Sequence, residues 1–125
     1  MADAPQQGGY GYISREDVAP FIPRGATSAL DIGCSEGGFG ESLRSALGPA
    51  ARLVGVEAVP ESADAARRMS PFDEVVTGYF PAALEGRPER FDLISFIDVL
   101  EHIYDPHAAL GAAKQFLSAD GAVLA

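Results

Sequence analysis

Residues Ala29-Leu30-Asp31-Ile32-Gly33-Cys34-Ser35-Glu36-Gly37-Gly38-Phe39-Gly40 decide the fold. The apolar run beginning at Ser28 has the length of a strand and opens into a glycine-rich turn. Beyond it, Phe39, Leu43 and Leu47 recur every four residues until Gly48-Pro49 stops the pattern. The segment reads as strand, turn, helix. The same alternation continues outward. Arg52 to Val56 is a second strand, and Pro60 suits a first helical position, from which Ala63, Ala66 and Met69 carry a helix to Ser70-Pro71. Glu74 to Val76 is a third strand, residues 77 to 90 hold turn formers, and Phe91 to Phe96 is a fourth strand of the buried type. Asp105-Pro106 supplies an N-cap and a first helical residue, and Leu110, Ala113 and Leu117 give that helix an apolar stripe that ends before Gly121. Ala122 to Ala125 begins strand five. Alternating strands and helices require parallel strands joined by right-handed crossovers, which predicts an α/β protein: a three-layer α/β/α sandwich around a doubly wound parallel sheet.

The N-terminal side is different. Residues 1 to 12 are rich in Gly, Gln and Ala, with Tyr10 and Tyr12, a composition expected of a mobile tail. Val18, Phe21 and Ile22 suggest a short amphipathic turn ended by Pro23 and Gly25. The expected division is therefore a tail and short helix over residues 1 to 27 and one domain over residues 28 to 125.

Nine basic against eighteen acidic residues leave a formal net charge of -9, a field that repels polyphosphate backbones and anionic membrane surfaces. Nucleic acid is not an expected partner. No stretch approaches the roughly 18 uninterrupted apolar residues of a membrane span, and Met1 to Tyr12 lacks the order of a secretory signal, so the cytoplasm is the expected location. Cys34 is the only cysteine, which excludes an internal disulfide and a cysteine metal cluster.

A glycine-rich turn after strand one lets a ligand approach the backbone where any Cβ would fill the space. Dinucleotide enzymes use a similar turn, but they seat a pyrophosphate on the helix N-terminus, which an acid just ahead of the turn opposes. Asp31 stands two residues before Gly33, an arrangement suited to a cationic ligand. Glu57, at the end of strand two, offers two acceptor oxygens to the adjacent hydroxyls of a ribose, which supports an adenosine-bearing cofactor of either kind.

The run Asp-Ile-Gly-Cys-Ser-Glu-Gly-Gly-Phe-Gly over residues 31 to 40 resembles motif one of the class I S-adenosylmethionine-dependent methyltransferases. It departs from the commonest form at Ser35, which replaces a glycine with slightly tighter clearance. The later run Phe91-Asp92-Leu93-Ile94, with Asp98-Val99-Leu100-Glu101-His102 and Asp105-Pro106, carries the resemblance further, over essentially residues 28 to 125. Tyr10 or Tyr12, Arg15, Ile22-Pro23 and the closing Gly121-Ala122-Val123-Leu124-Ala125 look more narrowly like methyltransferase domains found with bacterial glycan and O-antigen synthesis. The resemblance implies a Rossmann-like sheet in the order 3-2-1-4-5 and S-adenosylmethionine as cofactor. It places Asp31, Gly33, Cys34, Ser35, Gly37, Glu57, Ala58, Tyr79, Phe80, Ile97 and Asp98 at the cofactor. Where the family has Gly-Asp after strand three, this chain has Gly78-Tyr79-Phe80. The two aromatics can sandwich adenine, or they can be loop anchors packed on the core.

On a helical turn, Asp98, Glu101 and His102 sit at i, i+3 and i+4, so their side chains leave one face. Three roles stay open. His102 can be a general base for an acceptor hydroxyl. The trio can hold a divalent metal, as the similar segment does in ubiquinone-biosynthesis O-methyltransferases. It can also be a hydrogen-bonded cluster that only shapes the pocket.

The leading expectation is methyl transfer to a hydroxyl of a small-molecule or glycan acceptor. The alternatives are a noncatalytic domain that holds the cofactor or its product, S-adenosylhomocysteine, and a nicotinamide-dependent Rossmann enzyme. Family members continue for two more strands, so either a C-terminal segment is missing or a second copy, as in a homodimer, completes the wall.

Overall fold

The computed structural model describes residues 15–97 and 99–125. It has five strands, β1 (Ser28–Ile32), β2 (Arg52–Glu57), β3 (Glu74–Thr77), β4 (Phe91–Ser95) and β5 (Leu117–Leu124), with three helices, α1 (Gly38–Leu47), α2 (Pro60–Met69) and α3 (Pro106–Ala113). Every neighbouring pair is parallel and the sheet order is β3-β2-β1-β4-β5. The predicted order and the doubly wound, Rossmann-like architecture are both present.

The middles of the central strands are apolar, Ala29-Leu30 in β1, Leu53-Val54 in β2 and Leu93-Ile94 in β4, because helices cover both faces of the sheet. On one face Ala29 of β1 pairs in register with Leu53 and Leu93, and with Phe39 and Leu43 of α1 these form one core. One residue further along, Leu30 pairs with Val54 and Ile94, and this rung joins Ala109, Ala113 and Phe116 in the opposite core. Pro60 opens α2, and Ala63 and Ala66 turn inward with no exposed surface. Before β1, a 3-10 turn at Ala19–Phe21 delivers Ile22 to the core at 2% exposure, while Phe21 faces outward at 69%. The apolar turn predicted there therefore packs through Ile22 rather than Phe21.

The third helix is shorter than its apolar stripe predicts. α3 stops at Ala113, a 3-10 turn (Lys114–Phe116) follows, and Leu117 already belongs to β5. The tighter turn buries Phe116 in place of the next helical position. Gly121, read as the end of a helix, lies inside β5. Leu117 pairs with Phe91 and Ala122 with Leu93, so the residues between bulge out of register, and a Cβ on residue 121 would meet the Phe91 carbonyl oxygen at 2.9 Å. No helix among the described residues is long and apolar enough to cross a membrane.

Candidate functional site

The C-terminal ends of β1, β2 and β3 and the segment after β4 enclose a cavity of about 610 Å³. Its place outside the carboxyl ends of the strands, where the chain order reverses beside β1, is where open α/β sheets bind ligands. The turn after β1 folds back over β2: the Gly33 and Cys34 amides both donate to the Val56 carbonyl, at 2.8 and 3.0 Å. Gly33 adopts a φ of +73°, and a Cβ there would collide with Val99, which packs directly on it from the segment after β4. Only glycine satisfies both conditions.

Glu57 ties the turn to the next connection. Its Oε1 accepts the Ser35 amide at 2.7 Å and its Oε2 accepts the Val59 amide at 3.0 Å. A carboxylate has about four acceptor positions, so each oxygen retains capacity for a ligand hydroxyl.

Asp31 is 2% exposed at the end of β1. Its Oδ1 accepts the Ser95 hydroxyl at 2.7 Å, and its Oδ2 has no hydrogen-bond partner among the described residues. Burial pushes its pKa up to about 7, against the Ser95 hydrogen bond, and the negative field of Glu57 adds to the rise. A buried, unsatisfied carboxylate oxygen is costly, and a cationic ligand group would satisfy it.

Gly33, Glu57, Ala58, Tyr79, Phe80 and His102 line the cavity. Asp31, Cys34, Ser35, Gly37, Ile97 and Glu101 do not, and Asp98 lies outside the described residues. The Cys34 side chain is 4% exposed and packs with Ala63, Ala66 and Val75, and burial holds its thiol far above the usual range. Gly37, at φ +96°, is held against the end of α2, where a Cβ would collide with Ser70. Phe80 is an anchor: it meets Phe96 edge-on at 5.9 Å and Phe116 at 5.8 Å. Tyr79 stands 78% exposed at the rim.

After β4 the helical turn spans only Leu100–His102, and Val99 before it has a φ of −125°. Glu101 and His102 are exposed there, with Oε2 and Nε2 3.8 Å apart. Among the described residues no three His, Cys, Asp or Glu side chains are grouped to hold a metal.

Sequence reasoning missed the far wall, made by Val99, Ile103, Tyr104, Ala108 and Ala109. The Asp105-Pro106 start of α3 was the available signal: the Asp105 carboxylate accepts the Ala108 amide at 3.0 Å, fixing the first turn against the cavity. The packing of Val99 on Gly33 left no local trace.

Residues 11–125 match the family described as a methyltransferase domain. A ubiquinone biosynthesis O-methyltransferase of Cereibacter sphaeroides is 29% identical over 123 residues, covering 90% of this chain and 49% of its own. The mitochondrial ubiquinone biosynthesis O-methyltransferase of Schizosaccharomyces pombe is 32% identical over 97 residues, covering 74% of this chain and 34% of its own. Among solved structures, the plantazolicin methyltransferase BpumL in complex with SAH aligns with a TM-score of 0.71 at 21% identity, over 78% of this chain and 37% of that one, a likeness of fold. The chain thus spans about half the length, 49%, of the Cereibacter relative.

Proposed function

The chain belongs to the methyltransferase domain family, and from that premise we propose that its cavity binds S-adenosylmethionine and that the protein methylates a hydroxyl of a small molecule. The observation that carries the reading is the pair of carboxylates at the tips of adjacent strands. Asp31, buried directly behind the lining residues Ile32 and Gly33 in the chain and with its Oδ2 unsatisfied, suits the ammonium of the methionine part, and Glu57, which lines the cavity, suits the ribose hydroxyls. Apolar Val99, Ile103 and Ala109 offer a surface for adenine.

When bound, the sulfonium supplies an activated methyl group whose transfer is downhill and needs mainly in-line alignment and exclusion of water. The protein's part is to hold and orient. In this reading His102, which lines the cavity, takes the proton that the acceptor hydroxyl loses. No Lys or Arg is among the described lining residues, which disfavours a dinucleotide pyrophosphate there. The names of the curated relatives favour a small-molecule acceptor over a glycan-linked one.

Calorimetric titration with S-adenosylhomocysteine tests the site. The wild type is expected to bind, and Glu57→Ala and Asp31→Ala to bind at least about tenfold more weakly, since hydrogen bonds to charged groups are worth roughly 1.5–3 kcal/mol. No heat with the wild type, or affinity unchanged from the wild type in both variants, overturns the assignment.

A further inference from the structure

Asp31 sits on the rung where β1 faces Gly55 of β2 and Ser95 of β4. Both neighbours are small, and the space at residue 55 belongs to Cys34, whose Sγ a Cβ there would meet at 2.7 Å. The Ser95 side chain has no exposed surface, and its Oγ lies 2.7 Å from Asp31 Oδ1 and 3.5 Å from the Leu30 carbonyl oxygen. One hydroxyl carries one proton, so it can serve only one of these acceptors at a time. With Asp31 ionised, Ser95 donates to the carboxylate. With Asp31 protonated, the carboxyl donates to Oγ, and the serine proton turns to Leu30. The pair therefore accommodates both protonation states with the heavy atoms in place.

The groups facing Asp31 from the neighbouring elements are Glu57 of β2, Cys34 of the turn and Ser95 of β4. Arg67 of α2 acts on Cys34. No Lys or Arg among the described residues bonds to Asp31. Nothing in this set neutralises a negative charge, and the second carboxylate opposes one.

We propose that Asp31 keeps a proton while the cofactor site is empty and releases it to solvent when the ligand ammonium docks, Ser95 turning its hydroxyl from Leu30 to the new carboxylate. This rests on the cofactor reading above. The bookkeeping is simple: the ammonium keeps its own protons, the Asp31 O–H bond breaks, and one proton leaves per ligand bound. Ser95 is a positioning residue for that exchange. Because the carboxyl ionises near 7, binding is expected to be about tenfold weaker at pH 6 than at pH 8 and to level off above neutrality.

The test is calorimetry with S-adenosylhomocysteine at pH 6 in buffers of different ionisation enthalpy. The expected result is release of close to one proton in the wild type and none in Asp31→Asn, with Ser95→Ala moving the pH dependence upward and Ser95→Thr restoring it. Should Asp31→Asn not fold, the Asp31 carboxyl carbon resonance of the wild type gives the same answer, titrating near neutrality in the free protein and ionised at pH 6 in the complex. Binding whose heat is independent of buffer, or proton release that persists in Asp31→Asn, overturns the proposal and leaves the cofactor site standing. Absence of any binding overturns both.

Discussion

Carboxylates at the N-terminal end of the sheet are held by cations and amides, whereas those at the C-terminal end meet neither a cation nor each other's favour. At the start of β3, Glu74 is bonded by Arg87 and by Arg52, which also bonds Glu89. Arg87 foremost, with Arg52 and against desolvation, lowers the Glu74 pKa to about 2. Asp92, at the start of β4, accepts from the Thr27 amide and hydroxyl and from Ser118, and these bonds lower its pKa. Asp73 is partly desolvated, yet the Leu53 amide and Arg44 bring its pKa below the ordinary value. At the other end Asp31 has one hydroxyl donor and a like-charged neighbour, and its pKa rises. One end of the sheet is electrically closed. At the other, amides hold Glu57 but Asp31 is left without a counter-charge, which is how a cavity for a cation differs from a structural ion-pair cluster.

The largest expected effect comes from removing the unsatisfied charge. In Asp31→Asn the neutral amide keeps the shape of the site. The wild-type native pKa near 7 lies above about 3.9 unfolded, so wild-type stability is undiminished below pH 4, falls between 4 and 7 as the unfolded chain releases its proton first, and levels off above. The variant escapes that loss. It is expected to be more stable than the wild type by about 4 kcal/mol at pH 8 and equal to it at pH 4, read from urea midpoints. A variant less stable at pH 8 would mean that Asp31 is satisfied in the folded chain and that the contrast between the two ends is false.

The closed end answers with a smaller effect of opposite sign. Glu74 has a native pKa below its unfolded one, so its contribution is present above about pH 4.5 and is lost as the pH falls toward 2. With a third of the side chain exposed, at 34%, solvent screening holds the expected cost of Glu74→Gln to about 1 kcal/mol at pH 7. The cost should shrink in high salt and fall away as the pH drops through about 2, while affinity for S-adenosylhomocysteine stays unchanged. A change in affinity would show that the two ends are coupled through β2 and β3.

The same contrast explains what could be read from the chain. Strand and helix alternation was legible because Ala29-Leu30 and Leu53-Val54 are buried on both faces, which removes the ambiguity of a half-exposed strand. Gly33 and Glu57 were legible because a strand end fixes where the next side chain goes. The end of α3 was not: Leu110, Ala113 and Leu117 fit a helix as well as the true path does, and the decision is made by Phe116 packing beneath Phe80. Ser95 was passed over because a small polar residue in an apolar run looks like filler until its partner Asp31, on another strand, is seen. Val99 belongs to the same class, its meaning lying in Gly33, far away in sequence.

Ser35 gives the smallest effect and the finest test of the turn. Its serine was expected to cost only clearance, but its φ is +53°, in the left-handed region, so the strain is in the backbone. An L-residue pays roughly 1–2 kcal/mol there, and glycine returns part of that gain through its freer unfolded chain. Ser35 has a further interaction besides its amide bond, which trims the benefit again. Ser35→Gly is therefore expected to stabilise by about 0.5 kcal/mol, a rise of a few degrees at most in Tm. Affinity for S-adenosylhomocysteine should hold within about threefold, because the bond to Glu57 comes from the residue 35 amide, which glycine retains. A larger loss of affinity without loss of stability would show that the serine side chain, and not only the backbone of the turn, meets the ligand.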